Sequence, residues 1–277
     1  MNKRAIWAIA RKDIRAIFAN VQVWLPMMIL PVLLGVLLPT GIILAISAAG
    51  LGADSDFQQM ADWVMKIPVG ALKVRLDGFA TLDQKVAFMI ANYMFAPFFL
   101  LIPLMTSSVI SADSFAGEKE RGTLETLLFA PTDLLSLFVG KSLAAFLPSM
   151  LLSLGTFGVC VLTVNAAGWS LFQGIFFPHV NWVPLLLLVI PLVSLLTILL
   201  NVFISARVAS FQAAYQMGGM VVLPAIGLVL GQVTGVLMLD TRFMLAISLV
   251  LAVLSLVLLR MLLKKLNRNL LFESQVR

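Results

Sequence analysis

The chain has 277 residues, of which 61% are apolar and 12% charged, against roughly 45–50% and about 25% in a soluble domain. That composition excludes an ordinary soluble globule, and one cysteine (Cys160) with one histidine (His179) excludes an internal disulfide and argues against a His/Cys metal cluster. The formal net charge of +6 does not point to nucleic acid, because the basic residues flank apolar runs, where membrane topology and anionic lipid account for them.

Residues 3–19 read as an amphipathic helix, with Ile6, Ala10, Ile14 and Ile17 on one face and Arg4, Arg11 and Arg15 on another. Such a helix suits a membrane surface. The apolar run that follows is longer than the 7–15 residues of a signal peptide's core, so the segment is expected to be retained. Five charge-free stretches follow (16–53, 86–112, 142–206, 208–239 and 243–259). Each approaches or exceeds the roughly 17–25 residues of a membrane-crossing helix, and 142–206 is too long for one crossing. The expected spans are 23–44, 86–110, 142–164, 183–204, 215–237 and 243–263. A polar segment, 54–85, separates the first two and contains a surface helix carrying Phe57, Met60, Ala61, Val64 and Ile67 before Pro68. Asn165, Gly168, Gly174, Pro178, His179 and Asn181 separate the third and fourth.

The expected fold is therefore all-α: a single polytopic transmembrane domain over 1–277, with an interfacial helix at 1–20, a six-span bundle at 21–263 and a cytoplasmic tail at 264–277. Six spans put both termini on one side. Fourteen of the 19 Lys and Arg residues fall on that side, leaving Lys66, Lys73, Arg75, Lys85 and Arg242 on the other. The positive-inside rule makes the termini cytoplasmic.

The longest cytoplasmic loop, 111–133, contains Gly122 as a chain break, Thr123 as an N-cap, Glu125 in a first helical turn and Pro131 as a stop. Leu124, Leu127 and Leu128 then share one face. A short amphipathic helix flanked by Glu118, Lys119, Glu120 and Arg121 suits a groove on a partner. The plainer reading is a solvated hairpin between spans.

The run Glu118-x-Glu120-Arg121-Gly122-Thr123-Leu124-Glu125-x-Leu127-Leu128-x-x-Pro131, with Gly140-Lys141 after it, resembles the signature loop of type-2 ABC exporter permeases. The resemblance implies an inner-membrane subunit that pairs with a second permease copy, as a homodimer or a paralogue heterodimer, and binds two cytoplasmic ABC ATPase subunits. ATP and Mg are expected on those partners, with no cofactor in this chain. It further implies that 123–129 is the coupling helix pressing on the ATPase. Glu118, Glu120 and Arg121 would form a polar network beneath it, and the N-terminal helix would be the connecting helix. Drug and sterol exporters of this architecture carry a large external segment between spans five and six; here the external mass lies between spans one and two.

Gly140-Lys141-Ser142 imitates the end of a phosphate-binding loop, but Leu135 stands where the first glycine belongs and no strand precedes it. Lys141 is expected instead to snorkel at the cytoplasmic interface. Gly227, Gly231 and Gly235 recur at four-residue intervals on span five, a small-residue pattern that lets helices approach closely. Their face is assigned to packing within the subunit, or to the dimer seam or translocation path, since the resemblance implies a cavity lined by spans two and five. Gln212, Gln216 and Gln232 add polar groups there. His179, with Trp169 and Trp182 nearby, is assigned to an interfacial aromatic belt. Nine prolines within the spans predict static kinks. No H-E-x-x-H, G-x-S-x-G or paired intramembrane aspartates occur, so the chain is not expected to be an enzyme. The alternative to an ATP-driven permease is an ATP-independent secondary transporter or channel, against which stand span interiors free of ionisable groups.

Overall fold

The computed structural model describes residues 2–50, 71–123, 133–208, 210–233 and 240–265. Among them the regular structure is entirely helical. Asn2 caps the N-terminal helix, Lys3–Ala19, by accepting from the backbone of Arg4 and Ala5. Six further helices are long and apolar enough to cross a membrane: Met27–Ala48, Leu82–Glu120, Leu134–Ala167, Trp182–Ser205, Phe211–Gln232 and Thr241–Lys264. The chain is a multi-pass membrane protein, and these helices are spans one to six. The expected surface helix at 57–67 lies outside the described residues. A short helix, Ala71–Asp77, precedes span two.

Span two is the axis of the bundle. Its most apolar stretch is 83% buried, against 17% in each of spans five and six, so the latter present most of their surface outward. Prolines shape several spans. A proline cannot donate to the preceding turn, and helical register widens nearby into π-turns, at Pro31–Leu37 in span one and at Leu185–Val189 directly after Pro184 in span four.

Spans two and three are longer than their uncharged stretches. Span two runs on through Asp113 and Glu118, and span three begins at Leu134, where the Asp133 carboxylate accepts from Ser136 N at 3.1 Å. The hydrogen bond to Ser136 holds the Asp133 carboxyl below the usual carboxylate range. The helix of span three therefore begins two turns before Lys141, ahead of the uncharged stretch 142–164.

At the end of the bundle away from the N-terminal helix, the polar residues between spans three and four tie the connection down. Asn165 Oδ1 accepts from Phe176 N (3.0 Å) and Phe177 N (3.2 Å), and Asn92 Oδ1 accepts from His179 N (2.7 Å). Trp182 is 1% exposed and meets Phe99, Phe157 and Phe177 at ring separations of 5.0–5.1 Å. It is a core residue, not part of an interfacial belt. His179 sits instead beside Phe88 and Tyr93, with its Nε2 2.7 Å from Arg75 Nη1. Burial and the Arg75 charge hold its imidazole below the ordinary histidine pKa.

Candidate functional site

The opposite end of the bundle concentrates the charges. Asp13 follows Ile6 and Ala10 and precedes Ile17 at helical spacing, so it falls on the buried face of the N-terminal helix and is 6% exposed. A carboxylate in that position is costly unless paired and hydrogen-bonded. Lys141 supplies the charge, with Nζ 3.4 Å from Asp13 Oδ2, and Ser114 Oγ donates to the same oxygen at 2.6 Å. Ser114 and Glu118 lie four residues apart on span two, hence on one face. Glu118 Oε2 pairs with Lys141, while its Oε1 accepts from Lys12 Nζ at 3.0 Å. Lys141 Nζ also donates to the Ser114 carbonyl at 2.6 Å.

Two acids and two bases thus join the N-terminal helix, span two and span three. Lys141, 1% exposed, does not snorkel: two carboxylates in reach within the bundle replace the water it would otherwise seek. Its neighbour Gly140 is what admits the N-terminal helix, because a Cβ there would stand 3.0 Å from the Ile6 carbonyl oxygen. Lys12 is the half-exposed member. Burial lowers its ammonium pKa, but the hydrogen bond and charge of Glu118, together with Asp13, outweigh burial and raise it above the ordinary lysine value.

The residues after Glu118 reach in other directions. Lys119 Nζ donates to the Val208 carbonyl at 3.2 Å, and Glu120 Oε2 accepts from Phe211 N, the first residue of span five, at 2.7 Å. Arg121 Nη1 turns back to Asp113 Oδ1 at 2.9 Å. Gly122 adopts φ +68°, a conformation that costs glycine little and ends the helix. Thr123 Oγ1 donates back to the Glu118 carbonyl. Leu124, Glu125, Leu127 and Leu128 lie outside the described residues. Glu118 thus joins the buried cluster, Glu120 caps span five, and Arg121 closes on its own helix. Asp13, Lys12 and Ser114 are members that sequence reasoning missed. The legible signal was Asp13, the single acid among the N-terminal helix's five cations, spaced in step with its apolar face.

The glycines of span five differ in role. A Cβ on Gly227 would meet nothing within 4 Å among the described residues, so Gly227 makes no close approach to any of them, against the assignment to packing within the subunit. Gly231 is partly buried, and Gly235 lies outside the described residues. The close approach is at Gly218, where a Cβ would stand 2.0 Å from Asn201 Oδ1 and 3.0 Å from Ser108 Oγ. There span five meets spans four and two, and Asn201 Nδ2 donates to Ser108 Oγ (3.1 Å) and Ser111 Oγ (2.9 Å). Gln232 is buried, donating from Nε2 to the Tyr93 carbonyl, whereas Gln216 is exposed.

A family model described as ABC-2 family transporter protein matches residues 61–214. The match takes in span two, the segment 118–123, spans three and four and the start of span five. No curated protein and no solved structure matches the chain.

Proposed function

The chain belongs to the ABC-2 transporter family and is a permease component of an ABC transporter, and we propose that it forms the translocation path of an ATP-driven exporter powered by a separate ATPase. Permeases of this family are generally non-catalytic membrane subunits that typically work with an ABC ATPase subunit. In this reading two permease copies and two ATPase subunits assemble, with both termini of the permease and residues 118–129 on the cytoplasmic side. The segment 123–129, with Leu124, Leu127 and Leu128 on one face, docks into the ATPase. ATP-driven closure of the ATPases then displaces the end of span two, and the spans alternate between inward-open and outward-open states.

The observation that carries this reading is the divergence of bonds from three consecutive residues. Glu118 holds the N-terminal helix and span three through Lys12 and Lys141, while Lys119 and Glu120 hold the start of span five. A push delivered at Gly122 reaches span two along the chain and spans three and five through these bonds. Charge-free spans suit a lipophilic or amphiphilic cargo.

Glu120 is the residue to test, because its carboxylate is exposed at one end and bonded to span five at the other. Glu120→Ala in a reconstituted complex is expected to lower the substrate moved per ATP hydrolysed severalfold while membrane insertion is unchanged; Glu120→Gln, which keeps the acceptor oxygen, is expected to retain most coupling. Full transport by Glu120→Ala would contradict the proposal. Flux through the chain in liposomes without any ATPase would favour a channel or secondary transporter instead.

A further inference from the structure

The charges of the N-terminal helix are sorted by face. Its one acid, Asp13, is turned inward and engaged by Lys141. Its cations turn outward: Lys3, Arg4, Arg11, Lys12 and Arg15, with Trp7, line an open groove of about 600 Å³. No acidic side chain lines that groove. Among the described residues, none of Lys3, Arg4, Arg11 and Arg15 takes part in an ion pair. Unpaired guanidinium groups held on one rigid helix are preorganised for phosphate, which each can grip with two parallel N–H donors.

The apolar neighbours of these arginines say which phosphate. Arg4, Trp7, Arg11, Arg15 and Phe18 follow one another at three- and four-residue steps and so form one stripe. Trp7 is 57% exposed and Phe18 53%. Large rings left in the open beside arginines match the boundary between acyl chains and headgroups, where tryptophan is favoured and basic side chains meet lipid phosphate. A soluble phosphate would use the guanidinium groups but would leave both rings in water.

We propose that this groove is a binding site for the headgroup of an anionic phospholipid, gripped by Arg4, Arg11 and Arg15 with Trp7 and Phe18 inserted beside its acyl chains. Lys12 belongs both to the groove and to the buried cluster through Glu118, so an occupied site bears directly on the charge that holds span two.

The test is native mass spectrometry of the purified chain, titrated in detergent with phosphatidylglycerol or phosphatidylcholine. Binding is read on this chain alone, so the result is independent of any ATPase. The wild-type chain is expected to retain phosphatidylglycerol over phosphatidylcholine. A variant carrying Arg4→Gln, Arg11→Gln and Arg15→Gln is expected to lose affinity for phosphatidylglycerol on the order of a hundredfold, at about fivefold per basic residue. These side chains are exposed, and an unchanged circular dichroism spectrum and elution volume verify the variant's fold. A control with Lys73→Gln, Lys85→Gln and Arg242→Gln removes the same charge elsewhere and is expected to bind as wild type. Equal affinity of the wild type for the two lipids would overturn the proposal, as would a preference that survives the triple arginine change or an equal loss in the control.

Discussion

Lys141→Met is expected to destabilise the chain by about 3–5 kcal/mol, the range for removing one partner of a buried ion pair. Lys141 and Lys12 balance Asp13 and Glu118, but Lys12 keeps 55% of its side chain exposed and reaches the cluster from its edge. Without Lys141, two carboxylates remain in the interior with their shared counter-ion gone, and Ser114 can offer only one hydroxyl proton, already given to Asp13. The expected observation is a marked drop in melting temperature in detergent and loss of transport. The triple change Asp13→Asn, Glu118→Gln, Lys141→Met separates the two effects: neutralising the whole cluster restores stability, because uncharged groups of similar volume need no counter-ion. Transport is expected to stay impaired, since the connection between the N-terminal helix and span two is lost. A single Lys141→Met variant with wild-type melting would mean that the ammonium is not buried between these carboxylates.

Gly218→Ala is the second large effect, and Gly227→Ala on the same span is its counterpart. A Cβ at 218 would lie 2.0 Å from Asn201 Oδ1, so the Asn201 side chain has to move, and moving it breaks its bonds to Ser108 and Ser111. Overpacking of this kind costs roughly 1–3 kcal/mol. At Gly227 the added methyl meets nothing within 4 Å, and alanine's helix propensity exceeds glycine's by up to about 1 kcal/mol, so stability of the monomer is expected to be unchanged or slightly increased. Thermal melting of the two variants in detergent checks the contrast. Pairing Gly218→Ala with Asn201→Ala removes the clashing oxygen and is expected to recover part of the loss. A wild-type melting temperature for Gly218→Ala alone would show that spans four and five do not approach closely at this point.

These two glycines also mark where sequence reading succeeds and fails. Six spans were legible because length and hydropathy are properties of a local window, and the polar break between spans three and four was legible for the same reason. The four-residue glycine interval is equally local, but what packs against it is not. Gly218, outside the repeat, is the position that Asn201 and Ser108 crowd, whereas Gly227, inside it, meets none of the described residues within 4 Å. The helices of spans two and three run on past their uncharged stretches, which no local window of hydropathy reveals. Asp113, Glu118 and Lys141 remain helical because their partners neutralise them, and some of those partners lie more than 100 residues away in sequence: Asp13 from Lys141, and Lys12 from Glu118. Lys141 reads as an interfacial residue because no counter-ion is visible in its local sequence, and nothing near Trp182 in sequence shows that it fills the core between Phe99 and Phe177. The segment Glu118 to Gly122 stands out in the sequence, but where each of its side chains reaches does not: they serve three separate contacts.

In the function proposed, force from an ATPase enters through residues 123–129, a claim that site-specific photocrosslinking in native membranes puts to the test. A photoreactive residue replacing Leu124 or Leu127 is expected to capture an ABC ATPase subunit, whereas the same residue replacing Leu151, 73% exposed on span three, captures lipid but no ATPase. Adducts at Leu124 and Leu127 that contain no nucleotide-hydrolysing subunit would contradict the claim.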